Sequence, residues 1–190
     1  MVDWMENITI ELAEELNQNI KIAKLYCQQE KNFIKKNLQL RKIFPLNPAP
    51  MLNGQLIEEM TNIVALAGAE QIQECINTGA EIILAGRTTD TAIISALPLM
   101  KGANPGSSWH GAKVVECGAL CSTNPTSGVV VVEFDKTGFT VEPMSKNAFC
   151  TSETVAAHML YENADPYILP EPGGYMDVTY SNYYNIDKKK

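Results

Sequence analysis

Apolar residues recur at helical and strand intervals along most of the chain. Trp4, Ile8, Leu12 and Leu16 are spaced by four, which predicts a helix over residues 3–18. Further helices are predicted over residues 30–41, 52–64, 70–77, 89–97, 109–120 and 151–161. Alternating or continuous apolar runs predict strands over residues 20–26, 81–85, 129–134, 139–141 and 175–179.

Prolines and glycines mark the ends of these elements. Three prolines within residues 44–50 predict a loop, because proline lacks an amide donor and fixes φ. Gly79 is expected to end one helix and Pro98 another. Residues 170–190 are rich in Gly, Pro and Tyr, so we expect a largely irregular C-terminal segment. Within it, residues 171–174 fit both a ligand-contacting loop and a plain connecting turn.

The order of these elements predicts an α/β fold, a layered sheet with helices packed on it. We expect residues 1–190 to form a single α/β domain or a fragment of one. The strands are few, and the first helix begins with nothing before it to pack on. The pattern therefore favours an incomplete portion of a larger domain.

Composition excludes several classes of protein. A net charge of -7 over 190 residues argues against nucleic-acid binding, which usually requires a basic face. No apolar run is long enough to span a bilayer, and residues 1–16 lack the apolar core of a signal peptide, so we expect a cytoplasmic protein without membrane contact. Five cysteines in apolar or helical stretches indicate reduced thiols rather than a disulfide framework.

The segment from Gly86 to Asp90 is the strongest candidate for ligand binding. It joins a predicted buried strand to a predicted helix, where free amides and the helix dipole favour an anion. Gly86 allows close approach, Arg87 offers a bidentate fork, and Thr88 and Thr89 add hydroxyls. The alternative is that Thr89 or Asp90 caps the helix and Arg87 pairs with a surface acid. The motif is neither a Walker loop nor a dinucleotide fingerprint, so the cofactor is unassigned.

Residues 109–121 place His110, Val114, Cys117 and Cys121 on one face if the segment is helical. A soft-metal site and a buried core stripe both fit this pattern, and we favour core packing. We therefore expect Cys117 and Cys121 to be buried, reduced and free of metal. His110 is a candidate acid or base. It would lie about 10 Å from Cys117 along a helix, too far for direct proton transfer from Cys117 as a nucleophile. Lys113 and Glu116, three apart, are expected to form a solvated ion pair.

His158 is the second candidate acid or base. It is spaced by four from both Thr154 and Glu162 along a predicted helix, and a neighbouring carboxylate would favour its charged form. A histidine so placed serves as a general base or lies on a helix surface or interface.

Several stretches together resemble one known family. They are residues 48–50, 80–92, 109–110, 116–119 and 155–167, with the glycine-arginine turn, Glu-Cys-Gly-Ala and Ala-Asp-Pro-Tyr as their specific parts. They resemble the acyclic terpene utilisation family, in particular its branch labelled 3-methylaspartate ammonia-lyase-like. The resemblance extends from about residue 3 to residue 185. Family members are longer, which implies a region upstream of the part seen here.

The resemblance implies a bacterial catabolic protein that handles branched or dicarboxylic acids or their thioesters. Our first hypothesis is an enzyme or enzyme fragment in which Arg87 and the Gly86 turn hold an anionic group and His158 or His110 is the acid or base. The second is a non-catalytic subunit that binds a small acid or another protein of its operon. We expect a small anionic metabolite as partner, with a homo-oligomer or an N-terminal region covering the first helix.

Overall fold

The architecture is described from a computed structural model covering residues 1–46, 48–126, 128–171 and 174–187. The α-helices are α1 (Val2–Glu15), α2 (Lys31–Gln39), α3 (Gly54–Glu59), α4 (Ala69–Asn77), α5 (Asp90–Met100), α6 (Pro105–Val115) and α7 (Ser152–His158), and a 3₁₀ helix covers Gly118–Cys121. The strands are β1 (Ile22–Leu25), β2 (Ile82–Ala85), β3 (Val130–Phe134), β4 (Phe139–Pro143), β5 (Ile168–Glu171) and β6 (Gly174–Asp177).

The class is mixed α/β with helices packed on sheets, as predicted. The strands in the described residues form three two-stranded sheets: β1–β2 is parallel, and β3–β4 and β5–β6 are antiparallel hairpins. The contacts divide the chain into unit 1, residues 1–67 and 77–88, and unit 2, residues 68–76 and 89–190 as far as they are described. The incompleteness of the domain stays a prediction.

In unit 1, α1 packs on the parallel β1–β2 sheet. Val2 and Ala13 are buried, and Lys24 of β1 binds Asp3 at 3.2 Å and Glu6 at 2.6 Å, which ties the helix to the strand. The apolar stripe predicted on this helix faces the other way: Trp4 is 63% exposed and Leu16 is 69% exposed. The stripe therefore lies uncovered on unit 1.

Residues 60–67 of unit 1 correct the predicted helix over residues 52–64. Asn53 caps α3 by accepting the Leu56 amide at 2.9 Å, but the helix ends at Glu59. Beyond it, the Ala65 amide donates to Cys27 at 2.9 Å and the Ala67 amide donates to Arg87 at 3.0 Å. These bonds to distant residues replace helical bonds in a stretch that contains β-branched residues.

In unit 2, α6 packs against α5 and against the β3–β4 hairpin. The hydrophobic core contains residues from α6, the 3₁₀ helix, β4, α7 and the β5–β6 hairpin. Its buried members are Val114, Val115, Cys121, Val141, Cys150, Val155, Met159, Leu169, Met176 and Val178. The β5–β6 hairpin includes residues 174–177, where a strand was predicted over residues 175–179, and residues 178–187 belong to no helix or strand. Pro172 and Gly173, in the proposed ligand loop, lie outside the described residues, as do Asn47 and residues 188–190.

Several predicted helix boundaries in unit 2 are wrong. Helix α5 continues through Pro98 to Met100, because the Lys101 amide still closes the last turn on Leu97. Helix α6 begins earlier, where Asn104 accepts the Ser107 amide and Pro105 occupies the first turn. Helix α7 has a Thr151 capping box but ends at His158.

A substitution at Gly111 tests the close packing of α6 on the hairpin. A Cβ there would lie 2.6 Å from Phe134 Cε1 and 2.9 Å from Phe139 Cγ, so Gly111→Ala should lower the free energy of unfolding by about 1–3 kcal/mol. Gly138→Ala, where the Cβ meets open space, is the matched control and should change it by less than about 0.5 kcal/mol. Equal urea midpoints for the two variants would contradict the packing.

Candidate functional site

The turn from Gly86 to Thr88 belongs to unit 1, and the predicted strand-to-helix turn is present, since β2 ends at Ala85 and α5 begins at Asp90. The Gly86 amide donates to Leu25 at 2.9 Å, and a Cβ on Gly86 would lie 3.1 Å from Cys27 Sγ. Gly86 therefore permits close packing against Cys27, and its amide is used by the sheet. Arg87 is exposed, whereas Thr88 is buried beside Ala67.

Thr89 and Asp90 belong to unit 2 and begin α5. Thr89 occupies the N-cap position without a capping bond from its side chain, and its buried hydroxyl has no hydrogen-bond partner in the described residues. Asp90 is exposed in the first turn, where a carboxylate is favoured by the helix dipole. The anion-binding role of Gly86–Asp90 stays a prediction.

His110 lies against a cavity of about 910 Å³ in unit 2. The imidazole is buried, its Nε2 is 2.9 Å from the hydroxyl of Tyr183, and its ring meets Phe139 edge-on. Burial lowers the pKa of His110 to about 4, so the ring is neutral at pH 7. A neutral imidazole bonded to a phenol can accept or relay a proton at the cavity wall.

Lys113 and Glu116 are buried, which corrects the expectation of a solvated ion pair. Their side chains are 10% and 7% exposed, and the ammonium donates to the carboxylate. Burial raises the pKa of Glu116 against the opposing effect of Lys113, and the charges of Asp90 and Glu162 raise it further. A buried pair of this kind costs desolvation, so it is weak evidence of a stabilising role.

His158 lies next to Lys113. Its ring stacks on Tyr161 at 5.6 Å, and its Nε2 is buried with no partner among the described residues. Burial lowers the pKa of His158, and the charge of Lys113 lowers it further. The expectation that a carboxylate favours the charged form is therefore wrong, because burial and Lys113 dominate.

Further carboxylates interact electrostatically with Lys113 or Glu116. Glu171 accepts a hydrogen bond from Thr91 at 3.2 Å, and its pKa is raised by burial and by Glu116. We use the name Lys113 cluster for residues that interact electrostatically with Lys113 or Glu116. Its members are Asp90, Lys113, Glu116, Cys117, His158, Tyr161, Glu162 and Glu171.

The predicted acid–base residues occupy different parts of unit 2. His158 and Asp90 belong to the Lys113 cluster, whereas His110 lines the cavity. Glu171 belongs to the cluster and to the cavity wall, since it lines the cavity and interacts electrostatically with Lys113. Glu162 lies beyond the end of α7 with φ of 58°, so Thr154, His158 and Glu162 do not share one helix.

The predicted stripe of His110, Val114, Cys117 and Cys121 is interrupted. Helix α6 ends at Val115, and Gly118 turns the chain with φ of 60° into the 3₁₀ helix. Cys117 is half-buried in the Lys113 cluster, and Cys121 is buried in the core; both are free thiols. Among the described residues, no group of three or more His, Cys, Asp or Glu side chains could hold a metal ion.

The sequence analysis did not place Lys113, Glu116 or Thr91 in a candidate site, and it named Glu171 only as part of the candidate loop over residues 171–174. The available signal was a lysine between Ala112 and two valines, on a helix whose other residues, apart from His110, are small or apolar. Such a lysine has no polar face to occupy and must be buried if the helix is buried. Thr91 and Glu171 are 80 residues apart, and no local pattern joins them.

The fold and the site define a mixed α/β protein with a partly buried charged cluster beside a cavity. The sequence model of the acyclic terpene utilisation family protein AtuA matches residues 4–190. The chain therefore belongs to the acyclic terpene utilisation family, as the resemblance implied. No curated protein and no solved structure matches the chain. None of the described helices combines the length and apolarity that crossing a membrane requires.

Removal of Lys113 tests its burial with Glu116. Lys113→Met leaves a buried carboxylate without its cation, so we expect the free energy of unfolding to fall by about 3 kcal/mol. Lys113→Met combined with Glu116→Leu removes both charges and should recover most of that loss. Urea unfolding at pH 7 measures both. If Lys113→Met alone is as stable as the parent chain, the ion pair of Lys113 and Glu116 is solvated.

The low pKa of His110 predicts a pH-dependent stability. The folded pKa of about 4 lies below the unfolded value of about 6.5, so the unfolded chain binds the extra proton between these values. Stability from this residue is therefore full above pH 6.5 and falls as pH decreases towards 4, with about 2 kcal/mol lost at pH 5. His110→Gln should show a correspondingly smaller fall between pH 7 and pH 5. Identical pH profiles would show that His110 titrates normally.

Proposed function

We propose that this chain is an enzyme, or part of one, that acts on a small branched or dicarboxylic acid or its acyl thioester. The observation that carries the proposal is His158, whose buried Nε2 has no partner beside the buried Lys113. An unpaired buried nitrogen costs free energy of about 1–3 kcal/mol, so retaining it favours a functional role.

In the proposed chemistry, His158 is the general acid or base. Burial and Lys113 keep its ring neutral at pH 7, so Nε2 can take a proton from carbon next to a carboxylate or thioester. The Lys113 ammonium would stabilise the negative charge that develops on the substrate oxygen. Glu116, the present partner of Lys113, would then share the ammonium group with the substrate.

His110 is the second proposed acid or base, acting from the cavity wall with Tyr183. Glu171 lines the same cavity and interacts electrostatically with Lys113, which supports a link between His110 and the Lys113 cluster. The turn from Gly86 to Asp90 is proposed to hold an anionic group, with the exposed Arg87 as the cation. The setting we propose is bacterial catabolism in the cytoplasm; the family's name, acyclic terpene utilisation, supports the catabolic part of this proposal.

A second candidate function is a non-catalytic small-acid-binding or partner subunit of a catabolic operon. It is favoured by the exposed apolar stripe on α1, where Trp4, Ile8, Leu12 and Leu16 remain uncovered on unit 1. Burying a large apolar side chain contributes about 1.5–3 kcal/mol, so a second copy or an upstream region would gain by covering the stripe.

Binding and proton transfer can be tested separately on the full chain. We expect one member of a panel of branched acids, dicarboxylic acids and their CoA thioesters to raise the melting temperature. At about 100 times its dissociation constant, the gain is about 2.7 kcal/mol, equivalent to roughly 5–10 °C at this chain length. In D₂O, NMR should then show exchange of the proton next to the carbonyl.

His158→Gln should abolish this exchange while the thermal shift remains, because the residue moves a proton without holding the anion. Arg87→Gln should reduce the thermal shift, and Lys101→Gln, another exposed cation, is the matched control that should not. Binding without exchange in the parent chain would favour the non-catalytic subunit. Exchange that persists in His158→Gln would overturn the role of this histidine.

A further inference from the structure

Cys121 and Cys150 bring two thiols together in the core of unit 2. Cys121 closes the 3₁₀ helix, and Cys150 directly precedes the Thr151 cap of α7. The two segments run side by side, since the Thr123 amide donates to Phe149 at 2.9 Å and the Phe149 amide donates to the Thr123 hydroxyl at 3.1 Å. The Cys121 thiol donates to the Gly118 carbonyl at 3.5 Å, and its side chain interacts electrostatically with that of Cys150.

The two thiols differ in access and in acidity. Cys121 is fully buried, whereas Cys150 lines the cavity of about 910 Å³. The interaction with the neighbouring Cys121 thiol lowers the pKa of Cys150, and the interaction with Cys150, together with burial, raises the pKa of Cys121. Cys150 is therefore the thiol better placed to react with a small molecule in the cavity, because the thiolate is the nucleophile.

We propose that Cys121 and Cys150 are an oxidisable dithiol, which a peroxide entering the cavity converts into a disulfide. The Cys150 thiolate attacks one peroxide oxygen, the O–O bond breaks, and a sulfenic acid forms as the other oxygen leaves as water. The Cys121 sulfur then attacks the sulfenic sulfur, its proton passes to the departing oxygen, and a second water leaves. Two thiols lose two electrons and one hydrogen peroxide gains them.

The remaining thiols lack this arrangement. Cys117 is half-buried beside Glu116, and burial with the nearby carboxylates raises its pKa. Burial also raises the pKa of Cys75, next to Glu74. Cys27 is buried in unit 1, where it packs against Gly86. Selectivity for Cys150 therefore follows from its cavity position together with its thiol neighbour.

The bridge would have consequences for the cavity and for α7. It would join the 3₁₀ helix to the residue before α7, the helix that carries His158 at its end. It would also fix one side chain of the cavity wall. The dithiol does not depend on the proposed acid–base reaction, and neither proposal fails with the other.

Mass spectrometry of the reduced full chain tests the pair. After treatment with stoichiometric hydrogen peroxide under native conditions, the intact mass should fall by two hydrogen atoms. Trypsin without reductant should yield residues 114–136 linked to residues 147–188, which contain Cys121 and Cys150 respectively. Cys117 lies in the first peptide as well, so Cys117→Ser is the matched control and should form the same link at the same rate.

Cys150→Ala should abolish the link, and Cys121→Ala should leave a sulfenic acid on Cys150 that dimedone traps. Because core variants could lose their fold, the parent chain supplies an independent measurement. Brief native alkylation with iodoacetamide should label Cys150 at least tenfold faster than Cys121. A link to Cys117, or oxidation and labelling that occur only in urea, would show an inert core pair and overturn the proposal.

Discussion

Helix α6 is buried on every side from His110 to Val115, and this enclosure is the constraint on which unit 2 depends. The helix packs on α5 and on the β3–β4 hairpin, and Gly111 allows the hairpin rings to approach. A helix enclosed in this way has no solvated face, so its polar side chains must be directed into the protein. His110 consequently faces the cavity, and Lys113 enters the charged cluster.

Such burial sets the chemistry of the site. Each buried ionisable group carries a desolvation cost that a surface group avoids, and the pKa shifts follow from this cost. Both histidines are held neutral, while Glu116 and Glu171 have raised pKa values. Hydrophobic residues of equal volume would fill α6 at lower cost. The retention of a lysine, a histidine with an unpaired nitrogen and several acids therefore agrees with a functional site rather than a stabilising one.

In unit 1, the first helix is held on its sheet by ion pairs rather than by its apolar stripe. Its parallel sheet has two strands, and the ion pairs of Lys24 with Asp3 and Glu6 orient α1 on it. The apolar stripe that would usually cover a sheet is directed outward instead. The sequence pattern recorded an apolar helix face correctly, but it carried no information about which surface this face meets.

The sequence by itself determined the α/β class, the seven helical regions, most strands and the strand-to-helix turn before Asp90, because these depend on local periodicity and on Gly and Pro. It also marked His110 and His158. Only the tertiary structure decided the extended path of residues 60–67, the continuation of α5 through Pro98 and the burial of Lys113 with Glu116. The same holds for the contacts of Thr91 with Glu171 and of Cys121 with Cys150, residues 80 and 29 positions apart. In these features, distant segments supply hydrogen bonds that replace the local helical ones, or they exclude water from a charged group. The pattern within one helix or strand contains no information about such distant contacts.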